Sequence, residues 1–201
     1  MSHKLEQEIK FHLADPKEFE ERLKSQGAHL KQARILETNL RFDTKESRLR
    51  SNFQTLRLRQ DQAVRLTWKG AGDITSTVRA REELEVEVSS LETTREILEA
   101  LGFEVFLVYE KYRSAYMLEN VEISLDEMPF GYFCEIEGPN IHSIQKTAAL
   151  LRLPWEASSK LSYLELFEMV KDSLSLDMRD LTFSAFKKIK INWCELGLTA
   201  V

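Results

Sequence analysis

From Arg79 to Glu87 the chain alternates with a period of two: Arg79, Arg81, Glu83, Glu85 and Glu87 share one parity, and Ala80, Leu84, Val86 and Val88 take the other, with Glu82 as the exception. Successive side chains of a strand point to opposite faces, so this run predicts a strand with one ionic and one apolar face. The same pattern returns along the chain. Leu5, Ile9 and Phe11, with Gln7, oppose Glu6, Glu8, Lys10 and His12. Leu56 and Leu58 oppose Arg57 and Arg59, and Val64, Leu66 and Trp68 oppose Arg65, Thr67 and Lys69. Later, Val121, Ile123 and Leu125 alternate with Glu122, Ser124 and Asp126, and Cys134 and Ile136 with Phe133, Glu135 and Glu137. Carboxylates at i and i+2 on one face lie about 7 Å apart and repel unless water or a cation separates them.

Between these runs the signals are mixed. Asp15-Pro16 reads as a helix start, with Phe19 and Leu23 as its buried stripe and Gly27 as its stop. Residues 28 to 43 read as a long or bent strand carrying Leu30, Ile35, Leu36, Leu40 and Phe42, and residues 45 to 52 as a polar loop. Gln60-Asp61-Gln62 links two runs as a hairpin, whereas Gly70-Ala71-Gly72-Asp73 breaks the pattern before a mobile loop over 74 to 77. Ser89 or Ser90 caps a helix to Ala100 whose apolar stripe is Leu91, Ile97, Leu98 and Leu101. Residues 103 to 117 are aromatic-rich and strand-like, with Lys111 and Arg113 on one face. Beyond Gly138-Pro139 the period changes to about 3.6. Helices are expected over 141 to 153, 163 to 174 and 180 to 191, followed by ten poorly constrained residues.

At 201 residues the chain is long enough for one domain with a sizeable core, and 43% hydrophobic with 30% charged residues places it among soluble globular proteins. A formal net charge of -5 leaves no excess of Lys and Arg for a phosphate backbone, which argues against a general nucleic-acid binder. Cys134 and Cys194 are far apart and outside any metal-ligand spacing, as in a reduced intracellular protein. Met1-Ser2-His3-Lys4 leads directly into charge, and no uninterrupted apolar run approaches bilayer length. The expectation is a cytoplasmic protein with no membrane partner.

Two architectures suit the alternation. One is an antiparallel sheet with its apolar face on helices and its ionic face in water. That arrangement does not explain why the polar positions are so seldom Ser, Thr, Asn or Gln, since exposed ion pairs stabilise little. The other is a closed barrel, its ionic faces turned inward as a tunnel and its apolar faces outward under helices. Carboxylates without His or Cys suit hard divalent cations, and clustered Arg and Lys suit a polyphosphate. A metal-bound triphosphate needs both sets.

The motifs that carry these charges resemble the CYTH domain, the triphosphate tunnel metalloenzymes. They are Glu6-x-Glu8-x-Lys10, Arg57-x-Arg59, Thr67-Trp68-Lys69-Gly70, Arg81-x-Glu83-x-Glu85, Lys111-x-Arg113, Leu125-Asp126 and the stretch from Gly131 to Gly138 that ends Glu135-Ile136-Glu137. Lys160-Leu161-Ser162-Tyr163 closes a likeness covering about the first 165 residues. The resemblance implies an α+β fold, an eight-stranded antiparallel β-barrel tunnel open at both ends, with a charged interior and flanking helices. The tunnel domain is expected over residues 1–170; residues 171–201 lie outside the likeness and are expected as a helical extension, either a packing helix or a homodimer contact.

The resemblance further implies Mg²⁺ or Mn²⁺ held by Glu6, Glu8, Glu83, Glu85, Asp126, Glu135 and Glu137. Lys10, Arg57, Arg59, Lys69, Arg81, Lys111, Arg113 and, as a lid contact, Lys160 would hold the triphosphate, and Glu6, Glu8, Lys10 and Glu85 would serve the reaction. Strand parity adds Arg65, Arg79, Glu87 and Glu122 as wall residues, while His12 reads as a tunnel-mouth or core histidine. Trp68 and Trp155 are aromatic candidates for stacking on a substrate ring, although parity sends Trp68 outward. The activity implied is a metal-dependent triphosphatase acting on tripolyphosphate, thiamine triphosphate or a nucleoside triphosphate. The alternatives are a class IV adenylate cyclase and a polyphosphate-binding module without turnover.

Overall fold

The computed structural model describes residues 4–72, 77–189, 191–196 and 198–201. The alternating runs become eight strands: β1 (Lys4–Leu13), β2 (His29–Asp43), β3 (Thr55–Gln60), β4 (Val64–Lys69), β5 (Arg79–Val88), β6 (Glu104–Leu118), β7 (Val121–Met128) and β8 (Gly131–Glu137). All pair antiparallel in the order β1-β5-β4-β3-β2-β6-β7-β8, and β8 returns to β1 to close the ring. The expected mobile loop falls mostly on residues 74–76, outside the described residues.

Helices cover much of the exterior. In α1 (Pro16–Ser25) the Asp15 carboxylate accepts from the Lys17 and Glu18 amides at 2.9 and 3.1 Å, and Phe19 and Leu23 are buried. Together with Ile144 and Ala148 of α4 (Ile141–Leu150) they cover the outward Ile9, Phe11, Ile123 and Ile136 of β1, β7 and β8. Where a loop was expected, the buried Asp43 carboxylate accepts from the Leu49 amide at 2.8 Å and the Arg50 amide at 3.2 Å, and folds α2 (Arg48–Ser51). Leu98 of α3 (Leu91–Ala100) seats on Leu40, Phe42, Leu56 and Leu58.

That cover is incomplete. Ile97 and Leu101 of α3 are exposed, and so are Leu84 and Val86 on the outer face of β5. The expectation that helices cover every apolar face is therefore corrected, because α3 sits over β2 and β3 and the outer side of β5 keeps its solvent contact.

The C-terminal portion differs most from expectation. α5 (Tyr163–Leu174) starts at a capping box of Ser162 and Glu165, as the period suggested. The helix expected over 180 to 191 shrinks to α6 (Phe183–Phe186), because Leu181 is drawn out as a short strand. β6 has 15 residues and β7 only 8, so one edge of β6 at Val108–Glu110 runs past the end of its neighbour. Leu181 satisfies that edge: its amide donates to the Val108 carbonyl and its carbonyl accepts from the Glu110 amide, both at 2.9 Å.

The staggered end of β1 is finished in the same way. Ser159 exchanges backbone hydrogen bonds with Lys10, and Val201 donates to His12 and accepts from Ala14. The final residues are thus tied to the barrel, contrary to the expectation of loose chain. Trp193 is buried and donates its indole N–H to the Phe130 carbonyl at 2.9 Å. Trp193→Ala is expected to lower the free energy of unfolding by about 3 kcal/mol in urea titrations, as truncation of a buried Trp does. A change below about 0.5 kcal/mol, the range of ordinary surface substitutions, would show that this segment does not pack on the barrel.

Candidate functional site

Ring closure turns one parity of every strand inward, around a cavity of about 410 Å³. Of the expected residues, Glu6, Glu8, Lys10, Arg57, Arg59, Lys69, Arg81, Glu83, Glu85, Lys111, Arg113, Glu135 and Glu137 line it, as do Arg65, Arg79 and Glu122. Asp126 lies just behind the wall, fully buried. Glu87 is largely exposed, and Lys160 is exposed, its carbonyl accepting from Arg79 Nη1 at 3.0 Å. Neither is among the lining residues. Trp68 and Trp155 do not line the cavity either: both pack outside it, Trp68 beside Leu56 and Leu58 and Trp155 against the core under α1 and α4.

The wall divides into three groups of paired charges. Register places Glu6 opposite Arg81 and Glu8 opposite Arg79. Lys69 Nζ donates to both oxygens of Glu6, at 2.6 and 2.5 Å, and lies 3.5 Å from Glu83, while Arg81 is 3.9 Å from both Glu6 and Glu8. A second group surrounds Glu85, which accepts from the Thr67 hydroxyl at 2.8 Å and lies 3.5, 3.8 and 3.9 Å from Arg59, Arg57 and Arg65. The third joins Lys10 and Arg113 to Glu135. There the buried Asp126 takes Arg113 Nε at 2.6 Å, Lys111 Nζ at 3.0 Å and the Tyr163 hydroxyl at 2.7 Å.

These contacts set the ionisation of Glu135. Burial alone would raise the Glu135 carboxyl, but Lys10, Arg113 and Lys111 outweigh it and hold it well below the usual carboxylate range. Glu37 is likewise opposed by burial yet lowered by Lys111, Arg113, Arg59 and Arg57. His12 answers to its reading as a core histidine: its ring lies 5.2 Å from Phe133 and 5.0 Å from Trp193, and burial lowers its pKa.

The expectation of a tunnel open at both ends needs correction. Phe133 has the inward parity, yet it packs with Tyr163, Phe130 and Trp193 in an apolar cluster that also holds Leu107, Tyr109 and Leu181. Lys10 Nζ stands 4.0 Å above the Tyr163 ring. α5 and the C-terminal segment thereby cover the end of the barrel where β6 and β8 begin. Lys31, Gln32 and Glu122 line the opposite end.

Among the lining residues that escaped the sequence reading are Lys31, Gln32, Glu37 and Arg41 of β2, Thr55, Asp61 and Tyr109. The signal for β2 was present in Glu37, Asn39, Arg41 and Asp43, which alternate with Leu36, Thr38, Leu40 and Phe42. It was obscured because register shifts near Leu30, Gln32 and Ile35 break the parity earlier in the strand.

The oxygen-only donor set fits a hard divalent cation. Glu8 faces Glu137 directly across the β1–β8 ladder, and Glu137 faces Glu122 across β7–β8, an arrangement of like charges that is unfavourable without a counter-ion. Here most of the wall carboxylates turn toward Lys or Arg, and among the described residues no three His, Cys, Asp or Glu are gathered as a metal-binding group. No described helix is long and apolar enough to cross a membrane.

Comparison with known proteins agrees with this geometry. The CYTH domain profile matches residues 4–166. A Methanocaldococcus jannaschii protein, provisionally named an adenylate cyclase, is 31% identical over 135 residues, spanning 66% of this chain and 76% of its own. A Pyrococcus horikoshii structure of 28% identity superposes with a TM-score of 0.67 over 81% of this chain and 98% of its own. A Hippeastrum structure at 22% identity and TM-score 0.61 covers 81% of this chain and 95% of its own; it is a provisional adenylyl cyclase described as having a dominant triphosphatase activity.

Glu135 and Glu37 predict an acid limit to stability. Because their pKa values are lowered in the fold, they stabilise it fully above the ordinary carboxylate value of 4.5 and lose that contribution as the pH falls through the lower folded values. The melting temperature is expected to fall below about pH 4.5, and less steeply in Glu135→Gln. A melting temperature that rises on acidification would contradict the assigned ion pairs.

Proposed function

Because the chain belongs to the CYTH domain family, we propose that its barrel is the active site of a divalent-metal-dependent triphosphatase. The observation that carries this reading is the enclosed wall on which Glu6, Glu8, Glu83 and Glu85 alternate with Lys10, Arg57, Arg59, Lys69 and Arg81 around one cavity. A pure anion binder gains nothing from so many acids, and a pure cation site nothing from so many guanidinium groups.

In this reading Arg57, Arg59, Lys69, Arg81, Lys111 and Arg113 hold the triphosphate oxygens, the arginines in bidentate geometry where the chain allows it. Glu6, Glu8, Glu83, Glu85, Asp126, Glu135 and Glu137 are the oxygen donors from which Mg²⁺ or Mn²⁺ is held, Asp126 and Glu135 also orienting Lys111 and Arg113. The bound cation would neutralise phosphate charge and polarise the phosphoryl group. Glu85 meets its three arginines only at 3.5 to 3.9 Å and is placed to take a proton from the attacking water. The water oxygen bonds to the terminal phosphorus, the bridging P–O bond breaks, and its electron pair stays on the leaving diphosphate beside the basic wall. Lys160, outside the cavity wall, would act only as a contact at the α5 end.

The second reading, conversion of ATP to cyclic AMP and pyrophosphate, is favoured by the name of the Methanocaldococcus jannaschii relative. The Hippeastrum protein supports hydrolysis on this fold. Residues 1–170 would form the catalytic domain and 171–201 an extension that packs on it.

Purified protein incubated with Mg²⁺ or Mn²⁺ and tripolyphosphate, thiamine triphosphate or ATP is expected to release inorganic phosphate. Formation of cyclic AMP with pyrophosphate in its place would overturn the hydrolase assignment, and binding without turnover would mark a polyphosphate-binding module. Glu8→Gln and Arg59→Ala should each reduce turnover by about 100-fold or more, as loss of one charge-stabilising group does, with circular dichroism unchanged. Full activity in both would refute the site.

A further inference from the structure

Each basic side chain that lines the cavity has a carboxylate within 4.0 Å, with one exception among the described residues. Lys10, Lys31, Lys69 and Lys111 and the remaining lining arginines all have such a partner. Arg41 has none. Its Nη2 donates to the Thr55 hydroxyl at 3.1 Å, its guanidinium carbon stands 5.8 Å from the Phe106 ring centroid, and its Nε is buried without a partner.

The surroundings of Arg41 are positive. It lies opposite Arg57 in the β2–β3 ladder, and Arg57, Arg81 and Arg79 all act against its charge. Burial, the largest influence, and these neighbours push its pKa down to about 10, against the opposing pull of the Tyr109 phenol. Tyr109 reports the same field: burial opposes ionisation of its phenol, yet Arg57, Lys111 and Arg41 lower its pKa. The Nε groups of Arg57, Arg59 and Arg81 are buried without a hydrogen bond as well, although Arg59 Nε lies 3.5 Å from the Asp61 carboxylate. A half-buried guanidinium whose Nε is sealed from water, set among other cations with no counter-ion, is a costly arrangement unless an anion completes it.

We propose that Arg41 is a further anion-binding residue of this cavity, receiving a phosphoryl oxygen of the substrate together with Arg57 at the end lined by Leu107, Tyr109 and Leu181. The inference rests on the reading of the site as a triphosphate site and gives it a direction. The condensed phosphate chain points toward the end covered by α5 and the C-terminal segment. Any organic group lies toward the opposite end, where Lys31, Gln32 and Glu122 stand.

The test is isothermal titration calorimetry of the full chain with sodium tripolyphosphate and, separately, inorganic phosphate, together with melting temperatures of the free protein. Wild type, Arg41→Met and Arg41→Lys are compared. Arg41→Met removes the charge while keeping a long stem, so the free protein should melt at the same temperature or higher, and tripolyphosphate affinity should drop about 10- to 100-fold, the value of one hydrogen bond to a charged group. Arg41→Lys should recover part of that loss. A tripolyphosphate affinity for Arg41→Met within twofold of wild type would overturn the proposal. So would a loss of melting temperature without a loss of affinity, which marks a packing role on Phe106. If wild type binds inorganic phosphate but not tripolyphosphate, the triphosphate reading fails while the phosphate titrations still decide Arg41. If it binds neither, both fall.

Discussion

Everything in this protein depends on burying ionised side chains inside a closed ring of strands. Removing a carboxylate or a guanidinium from water costs several kcal/mol, and only close pairing within the ring offsets it. The ladders supply that pairing through register: Lys69 beside Glu83, Glu6 beside Arg81, Lys10 beside Glu135 and Arg113 beside Asp126. A slip of one residue in any ladder would turn its charged row outward and its apolar row inward, so the ionic wall and the hydrophobic exterior specify the same register. That shared requirement explains why Ile9, Phe11, Ile123 and Ile136 are fully buried on the side away from the charges.

Closing a staggered sheet leaves strand ends that overrun their neighbours, and backbone groups at those ends need partners. Ser159 and Val201 serve β1, and Leu181 serves β6. Because these segments are also where Tyr163, Leu181 and Trp193 enter the apolar cluster, finishing the barrel edges and covering one end of the cavity are the same structural event. Residues beyond the matched span of 4–166 therefore shape the site without supplying its charges.

The chemistry follows from an imbalance inside the pairing. Glu135, Asp126 and Glu6 are tightly held, whereas Glu85 is shared at longer range by three arginines and Arg41 has no acid within 4.0 Å among the described residues. A wall built for stability alone would pair each charge once, or replace it with apolar residues of similar volume. Loose carboxylates and unmatched guanidinium groups in one enclosed space are suited to a ligand that brings both a cation and a polyanion.

The strands, their inward parity and most of the charged wall were legible in the sequence, because a two-residue period is a local property and Glu6, Arg59, Glu85 or Glu137 each sit in an uninterrupted run. Arg41, Glu37 and Asp61 were not read as wall residues: bulges break the parity of β2, and Asp61 sits in a hairpin turn with no period to read. Neither the fate of the C-terminal residues nor the covering of one end was legible either. A helical period over 180 to 191 was overridden by an open edge of β6, which exists only once β7 stops short of it. The sequence by itself determined which side chains share a face, since that depends on neighbours in the chain. Only the tertiary structure decided which of those charges meet, which one is left without a partner and which end of the barrel is covered, because these depend on register and stagger between strands far apart in sequence.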